Sequence, residues 1–274
     1  MNKLHYFADS ISLLSLPEKF TYPFHYTPHP LCVAAAGEVG RYLSTKGEWQ
    51  GELRKGKMFG VLIVRTGEGE VGYLAAFSGI LAGKNRHTYF VPPVYDVQEP
   101  DGFFRIEEEQ ISGINRRIEE LQADVRYKDC KQRLADETIL AGQVLDDIRG
   151  RMKAAKVERD RLRSTVTRVD SEQLIRESQF QKDHLASLQA EVEVFETEIE
   201  RLKAERKTRS AALQQWLFKQ FRMLNARGEE RDLCNLFKDT VQKTPPAGAG
   251  ECAAPKLLQY AYRNGWQPLA MAEF

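Results

Sequence analysis

Eight basic residues, Arg149, Arg151, Lys153, Lys156, Arg159, Arg161, Arg163 and Arg168, stand close together and face only Asp146, Asp147, Glu158, Asp160 and Asp170 nearby. Cations at that density can neutralise phosphates and release their counterions, which is the chemistry of backbone contact with nucleic acid. Such contacts position a partner without reading its sequence. A solvated helix surface with intrahelical ion pairs uses the same residue types, and both readings stand at this level. Other candidates are weaker. His25 and His29 are four apart, but Pro23, Pro28 and Pro30 exclude the helix that would put both on one face, so packing or loop hydrogen bonding is expected rather than a metal pair. Gly67 and Gly69 alternate with acidic residues in Thr66-Gly-Glu-Gly-Glu, a poor phosphate cradle and a good turn. Gly248 and Gly250 could offer amides to an anion at a helix start, but Glu251 would repel it. No Ser-His-Asp, Walker or dinucleotide signature is present, and no cofactor is expected.

The basic residues need an element to hold them, and the surrounding composition names it. There is no proline between Pro100 and Pro245, and the stretch from about Phe104 to Arg227 is dominated by Glu, Gln, Arg, Lys, Leu and Ala, all good helix formers. Ile111, Ile114, Ile118, Leu121 and Val125 follow a coiled-coil spacing, as do Leu185, Leu188, Val192, Phe195, Ile199 and Leu202. A helix with so narrow an apolar stripe must pack on another. A break is predicted at Ser164-Thr-Val-Thr-Arg-Val-Asp-Ser, where β-branched residues weaken the helix and Asp170 with Gln173 could make an N-cap and capping box. Two arms of similar length, roughly 80 to 90 Å each at 1.5 Å per residue, suit an antiparallel hairpin with the basic residues at its far end. Parallel dimerisation of one continuous helix is the competing arrangement.

The two ends of the chain read as globular. Pro30 suits the first turn of a helix running to about Leu43. Met58-Phe-Gly-Val-Leu-Ile-Val-Arg and Val71-Gly-Tyr-Leu-Ala-Ala-Phe flank a turn and predict a β-hairpin. After the Gly/Pro/Ala-rich loop from Pro245 to Gly250 comes a short helix with Leu257, Leu258, Ala261 and Tyr262 on one face, ended by Gly265, and then a strand beginning at Leu269. Neither end can bury enough apolar surface alone, so Met58 to Val64 and Leu257 to Tyr262 are expected to share a core. The expected fold is therefore α+β: a split unit of helix, β-hairpin, helix and strand, interrupted by a long antiparallel helical coiled-coil hairpin. The boundaries are drawn as 1–100, 101–230 and 231–274. An apolar strand running to Phe274 with no partner for its backbone further predicts that the last segment is incomplete and that the chain is the front part of a longer protein.

Composition bounds the function classes. With 274 residues, 42% hydrophobic and 29% charged, a net charge of +1 and a mean hydropathy of −0.49, part of the chain must be extended and solvated. The overall charge balance points to neither nucleic acid nor membrane, so any basic surface must be local. Cys32, Cys130, Cys234 and Cys252 are far apart with no Cys-x-x-Cys pair, which argues against a disulfide framework and against a complete zinc site within the chain. No leader-like N-terminus or membrane-length apolar window is present, so a soluble cytoplasmic protein is expected.

Several segments together resemble a known family: Leu16-Pro-Glu-Lys-Phe, Pro28-His-Pro-Leu-Cys, Gly56-Lys-Met-Phe-Gly-Val-Leu, Gly72-Tyr-Leu-Ala-Ala-Phe-Ser-Gly, Phe90-Val-Pro-Pro-Val-Tyr-Asp, and Gly248-Ala-Gly-Glu-Cys-Ala-Ala-Pro-Lys-Leu-Leu-Gln-Tyr-Ala. They resemble the N-terminal extension of a bacterial group of ribosomal large-subunit pseudouridine synthase A family enzymes. The resemblance implies an accessory region that binds or positions structured, ribosomal RNA. It places the catalytic domain, with its His-Arg-Leu-Asp motif, in the same polypeptide beyond Phe274. Here the nearest match, Arg133-Leu-Ala-Asp136, lacks the histidine, and no catalytic residue carries over. The coil leaves homodimerisation open, and a non-catalytic interaction module is the alternative from another class. The element order of the globular unit is also similar to the first half of the cytidine-deaminase-like fold. That similarity puts Cys252 where a zinc ligand would stand, but Ala254 occupies the position of the proton-shuttling glutamate, so deamination is not expected.

Overall fold

A computed structural model describes residues 2–8, 14–20, 27–162 and 166–274, with 162 and 166–171 described by their backbone only. In chain order the elements are α1 (Pro30–Ser44), α2 (Gln50–Leu53), β1 (Phe59–Arg65), β2 (Val71–Phe77), α3 (Phe103–Ala123), α4 (Val125–Leu162), α5 (Val166–Gln220), β3 (Arg222–Leu224), β4 (Glu230–Asp232), α6 (Leu233–Phe237), α7 (Ala253–Arg263) and β5 (Gln267–Glu273). The fold is α+β, with a small antiparallel sheet and a long helix pair. The chain divides into two compact units, one of Met1–Glu107 with Ala211–Phe274 and the other of Glu108–Ser210. Among the described residues no helix is long and apolar enough to cross a membrane.

In the first unit the sheet order is β2-β1-β5, and β1 runs antiparallel to both neighbours. The β1–β2 ladder is closed by the Thr66-to-Glu70 turn, where Gly69 takes φ 88° and its amide donates to the Thr66 carbonyl at 3.0 Å. Both faces are covered, which accounts for the nearly continuous apolar run in β1. Val61 and Ile63 point with Tyr73, Ala75 and Phe77 toward Leu31, Ala35 and Val39 of α1. Leu62 and Val64 point with Leu74 and Ala76 toward Ala253, Leu257 and Ala261 of α7. The two ends of the chain thus share one core across β1, and Phe274 exchanges both backbone hydrogen bonds with Phe59, at 2.8 and 2.9 Å. The terminal strand is therefore not without a backbone partner, as the sequence alone made it. The outer edge of β2 is met by His5, which trades backbone hydrogen bonds with Tyr73, and by the amide of Val91. At the start of α1 the His29 side chain accepts from the Leu31 amide and Pro30 sits at the first helical position.

The second unit is a helix pair. Gln110 and Asn115 accept from Arg209 and Arg206, Ile118 and Leu121 pack on Ile199 and Leu202, Tyr127 meets Phe195 and Glu196, and Arg133 pairs with Glu191 at 2.8 Å. Partner numbers fall as residue numbers rise, so the pair is antiparallel. Two local expectations do not hold. The helix is interrupted at Asp124, whose Oδ1 accepts from the Arg126 amide at 2.8 Å, and Val125 at the start of α4 is 78% exposed rather than part of the stripe. Of the predicted break, Ser164 and Thr165 lie outside the described residues, and from Val166 the backbone is already helical, so Asp170 is not an N-cap. Helix α5 ends at Gln220, short of the expected Arg227. The next residues form the β3–β4 hairpin around Gly228, at φ 79°, with Asn225 Oδ1 accepting from the amides of Arg227 and Glu229. The units accordingly divide at 107/108 and 210/211 rather than at 100/101 and 230/231.

Candidate functional site

Helix α4 carries the basic stretch. Arg149 pairs with Asp146 at 2.6 Å, Arg151 with Asp147 at 3.7 Å and Arg161 with Glu158 at 3.7 Å, all one turn apart on the same helix. Lys153 and Lys156 are exposed and make no ion pair among the described residues, and Arg159 is half-buried. Arg163 lies outside the described residues, and nothing is described of the Arg168 side chain. The helix therefore brings together six of the eight predicted cations, of which Arg149, Arg151 and Arg161 are each answered by a carboxylate and Lys153 and Lys156 are not, among the described residues. Exposed pairs of this kind are weak, so a phosphate can displace them. The two lysines are the groups from which counterion release costs least.

The start of α7 differs from the sequence expectation. Cys252 occupies the N-cap position and is exposed, with its thiol donating to the Gly248 carbonyl at 3.9 Å. Burial, followed by the charge of Glu273, pushes that thiol pKa up, which keeps it protonated and disfavours it as a metal ligand or nucleophile. The first free amides of the helix are also taken: Ala253 donates to Ser78 Oγ and Ala254 to Glu273 Oε1, each at 3.2 Å. A carboxylate does stand at the helix start, then, supplied by β5 rather than by position 254. Gly250 is packed so closely that a Cβ would fall 2.2 Å from Cδ1 of the Phe221 ring, so the loop before α7 is a tight joint rather than an open anion cradle. Among the described residues no three His, Cys, Asp or Glu side chains group as a metal site. His25 lies outside the described residues, and its supposed partner His29 caps α1.

Two features of α7 were not anticipated. The buried face is Ala253, Leu257 and Ala261, and with them Lys256, which is 2% exposed. Its ammonium donates to the carbonyls of Phe77 at 2.8 Å and Gly79 at 3.4 Å and lies 4.9 Å from the centre of the Phe77 ring. Burial pulls its pKa down to about 8, with the charge of Glu251 acting the other way. The sequence signal was a lysine next to Leu257 and one turn after Ala253, on the face that must pack. Leu258, which packs half-buried against the core beside Leu257, and Tyr262 also wall an apolar cavity of about 510 Å³ against Met223, Leu233 and Phe237. That cavity depends on the β3–β4 hairpin, which the helical composition of the preceding stretch hid. No protein-family model, curated protein or solved structure matches this chain.

Proposed function

We propose that this chain is a non-catalytic, RNA-contacting accessory region of an RNA pseudouridine synthase acting in the cytoplasm, with isomerisation chemistry supplied by a separate catalytic domain. The observation that carries the RNA half is the exposed basic stretch of α4, in which Lys153 and Lys156 have no carboxylate partner among the described residues. Contacts of that kind hold phosphates without reading bases, as expected of a segment that positions a structured, ribosomal RNA. The enzyme half rests on the segments that resemble the synthase extension and on the missing His-Arg-Leu-Asp motif.

A second reading, a coiled-coil interaction module, is favoured by the ion pairs that Arg149, Arg151 and Arg161 already make. One experiment separates the two. The purified chain should bind a structured ribosomal RNA fragment with an affinity that falls steeply as salt is raised, and form no pseudouridine. The double variant Lys153→Glu, Lys156→Glu should weaken binding with helical content unchanged. The slope of log affinity against log salt should become shallower by roughly two, about one for each phosphate no longer neutralised. Equal RNA binding by that variant would leave the interaction-module reading standing.

A further inference from the structure

A second cluster of cations lies in the first unit, assembled from segments far apart in sequence. Lys3 is fixed at both ends: its amide donates to Tyr260 Oη at 3.1 Å, and its ammonium to the carbonyls of His87 at 3.3 Å and Thr88 at 2.5 Å. Arg86 is held by Asp96, which takes its Nε at 2.6 Å and is itself held by Asn85 Nδ2 at 2.7 Å and the Gln98 amide at 2.9 Å. Between these groups is a cavity of about 270 Å³ lined by Lys3, Arg86, His87, Thr88, Phe90 and Pro92. Among the described residues the lining contains no carboxylate. Burial, and then the charge of Arg86, holds the Lys3 ammonium below the ordinary lysine range, as expected for two cations that line one concavity.

Asp96 pairs with Arg86, but the Lys3 ammonium has only neutral carbonyl acceptors among the described residues, so the cluster of Lys3, Arg86 and Asp96 keeps a net positive charge that a bound anion would offset. The donors are suited to oxygen: Asp96 takes the Arg86 Nε, and among the described residues no hydrogen bond engages its terminal guanidinium nitrogens. Neither cation can swing away easily, since Lys3 is tied by three hydrogen bonds and Arg86 by a carboxylate that is itself anchored. Phe90 and Pro92 complete the lining.

We propose that this cavity is a binding site for a phosphoryl group, with Lys3 and Arg86 pairing with its oxygens. The same oxygens are presented by free phosphate, by a phosphomonoester and by the backbone of RNA, and the site does not depend on the RNA reading of α4.

Inorganic phosphate titrated into the full chain at constant ionic strength, followed by phosphorus NMR, should show saturable one-to-one binding. Lys3→Met and Arg86→Gln should each weaken it by about tenfold or more, as expected for losing a charge-assisted partner. Arg86 is exposed enough that Arg86→Gln should melt like the parent chain, which keeps the test valid if Lys3→Met perturbs the N-terminal segment. The Lys153→Glu, Lys156→Glu variant should bind phosphate as the parent does. Failure to bind phosphate, or equal binding by Arg86→Gln, would overturn the site. Competition between phosphate and a single-stranded oligouridine would support the site with RNA backbone as its source; phosphate binding without competition supports it with a free phosphate or phosphomonoester as its source.

Discussion

The two units are held together by different physics. In the first, β1 is covered on both faces, and its neighbours in the sheet come from sequence positions about two hundred residues apart, as in the pairing of Leu62 with Leu74 on one side and Met271 on the other. Loop closure over such a distance must be compensated by packing, and the fully buried Leu62, Ile63, Leu74 and Leu257 supply it. In the second unit the backbone hydrogen bonds are local, and the buried stripe is narrow: Ile118, Leu121, Leu188, Val192, Ile199 and Leu202 are each 3% to 9% exposed. Its remaining polar contacts are surface pairs. One unit thus depends on a few long-range apolar contacts, and the other distributes its stability over many weak local ones.

That contrast can be tested because Trp49, Trp216 and Trp266 all fall in the first unit, so tryptophan fluorescence reports on it while far-ultraviolet dichroism is dominated by the long helices. The largest effect is expected from Leu257→Ala, which opens a cavity beneath β1 and should cost about 2–5 kcal/mol. The fluorescence transition in urea should move to lower denaturant while the dichroism transition moves much less. Coincident shifts in both would mean the units unfold as one block, and the contrast would fail.

A smaller effect concerns Lys256. Its pKa is about 8 in the folded chain, below the ordinary lysine value of 10.5, so between these two the unfolded chain holds more protons. Stability from this group should therefore rise with pH across that window, reach its full value above the upper limit, and be lost as pH falls through about 8. The difference in urea midpoint between the parent and Lys256→Met should grow in favour of the parent from pH 8 to 10.5, by an amount worth a few kcal/mol. Taking the difference removes the opposing contribution of Tyr73 and Tyr89, whose pKa values burial raises. A constant difference across that range would place the Lys256 pKa at its ordinary value. The smallest effect belongs to the second unit: Arg201→Ala breaks exposed pairs with Glu198 and Glu205 and should leave both transitions within error. A clear shift would show that surface pairs in the helix pair act as a network.

How much of this was legible depended on whether the signal was local. The β1–β2 hairpin, the start of α1 at Pro30 and the stripe from Leu185 to Leu202 all carry their period in consecutive residues, and each was read. Strands β3 and β4, as Arg222-Met-Leu and Glu230-Arg-Asp, are too short and too charged to show alternation, and the helix formers before them masked the change. The burial of Lys256 has no local signature, because its acceptors are the carbonyls of Phe77, at the end of β2, and of Gly79 just beyond it. Lys3 and Arg86 are brought together only by tertiary folding. The basic stretch of α4 was legible as composition, but which of its members are paired required the helix geometry.

Asp124 sets the phase of the helix pair. Leu121 and Cys130 both face inward although nine residues separate them, and in an unbroken helix nine residues make about two and a half turns, which would put the two on opposite sides. The interruption rotates everything after it, so that Cys130, Ala141 and Ile148 follow Leu121 on the inner side. One residue that leaves the helix thus acts as a phase correction between two apolar patterns that could not share a single rod. A one- or two-residue insertion beyond Cys130 would rotate the later inward residues by about 100° or 200° and turn them from the partner helix, with no such break beside them among the described residues to correct it.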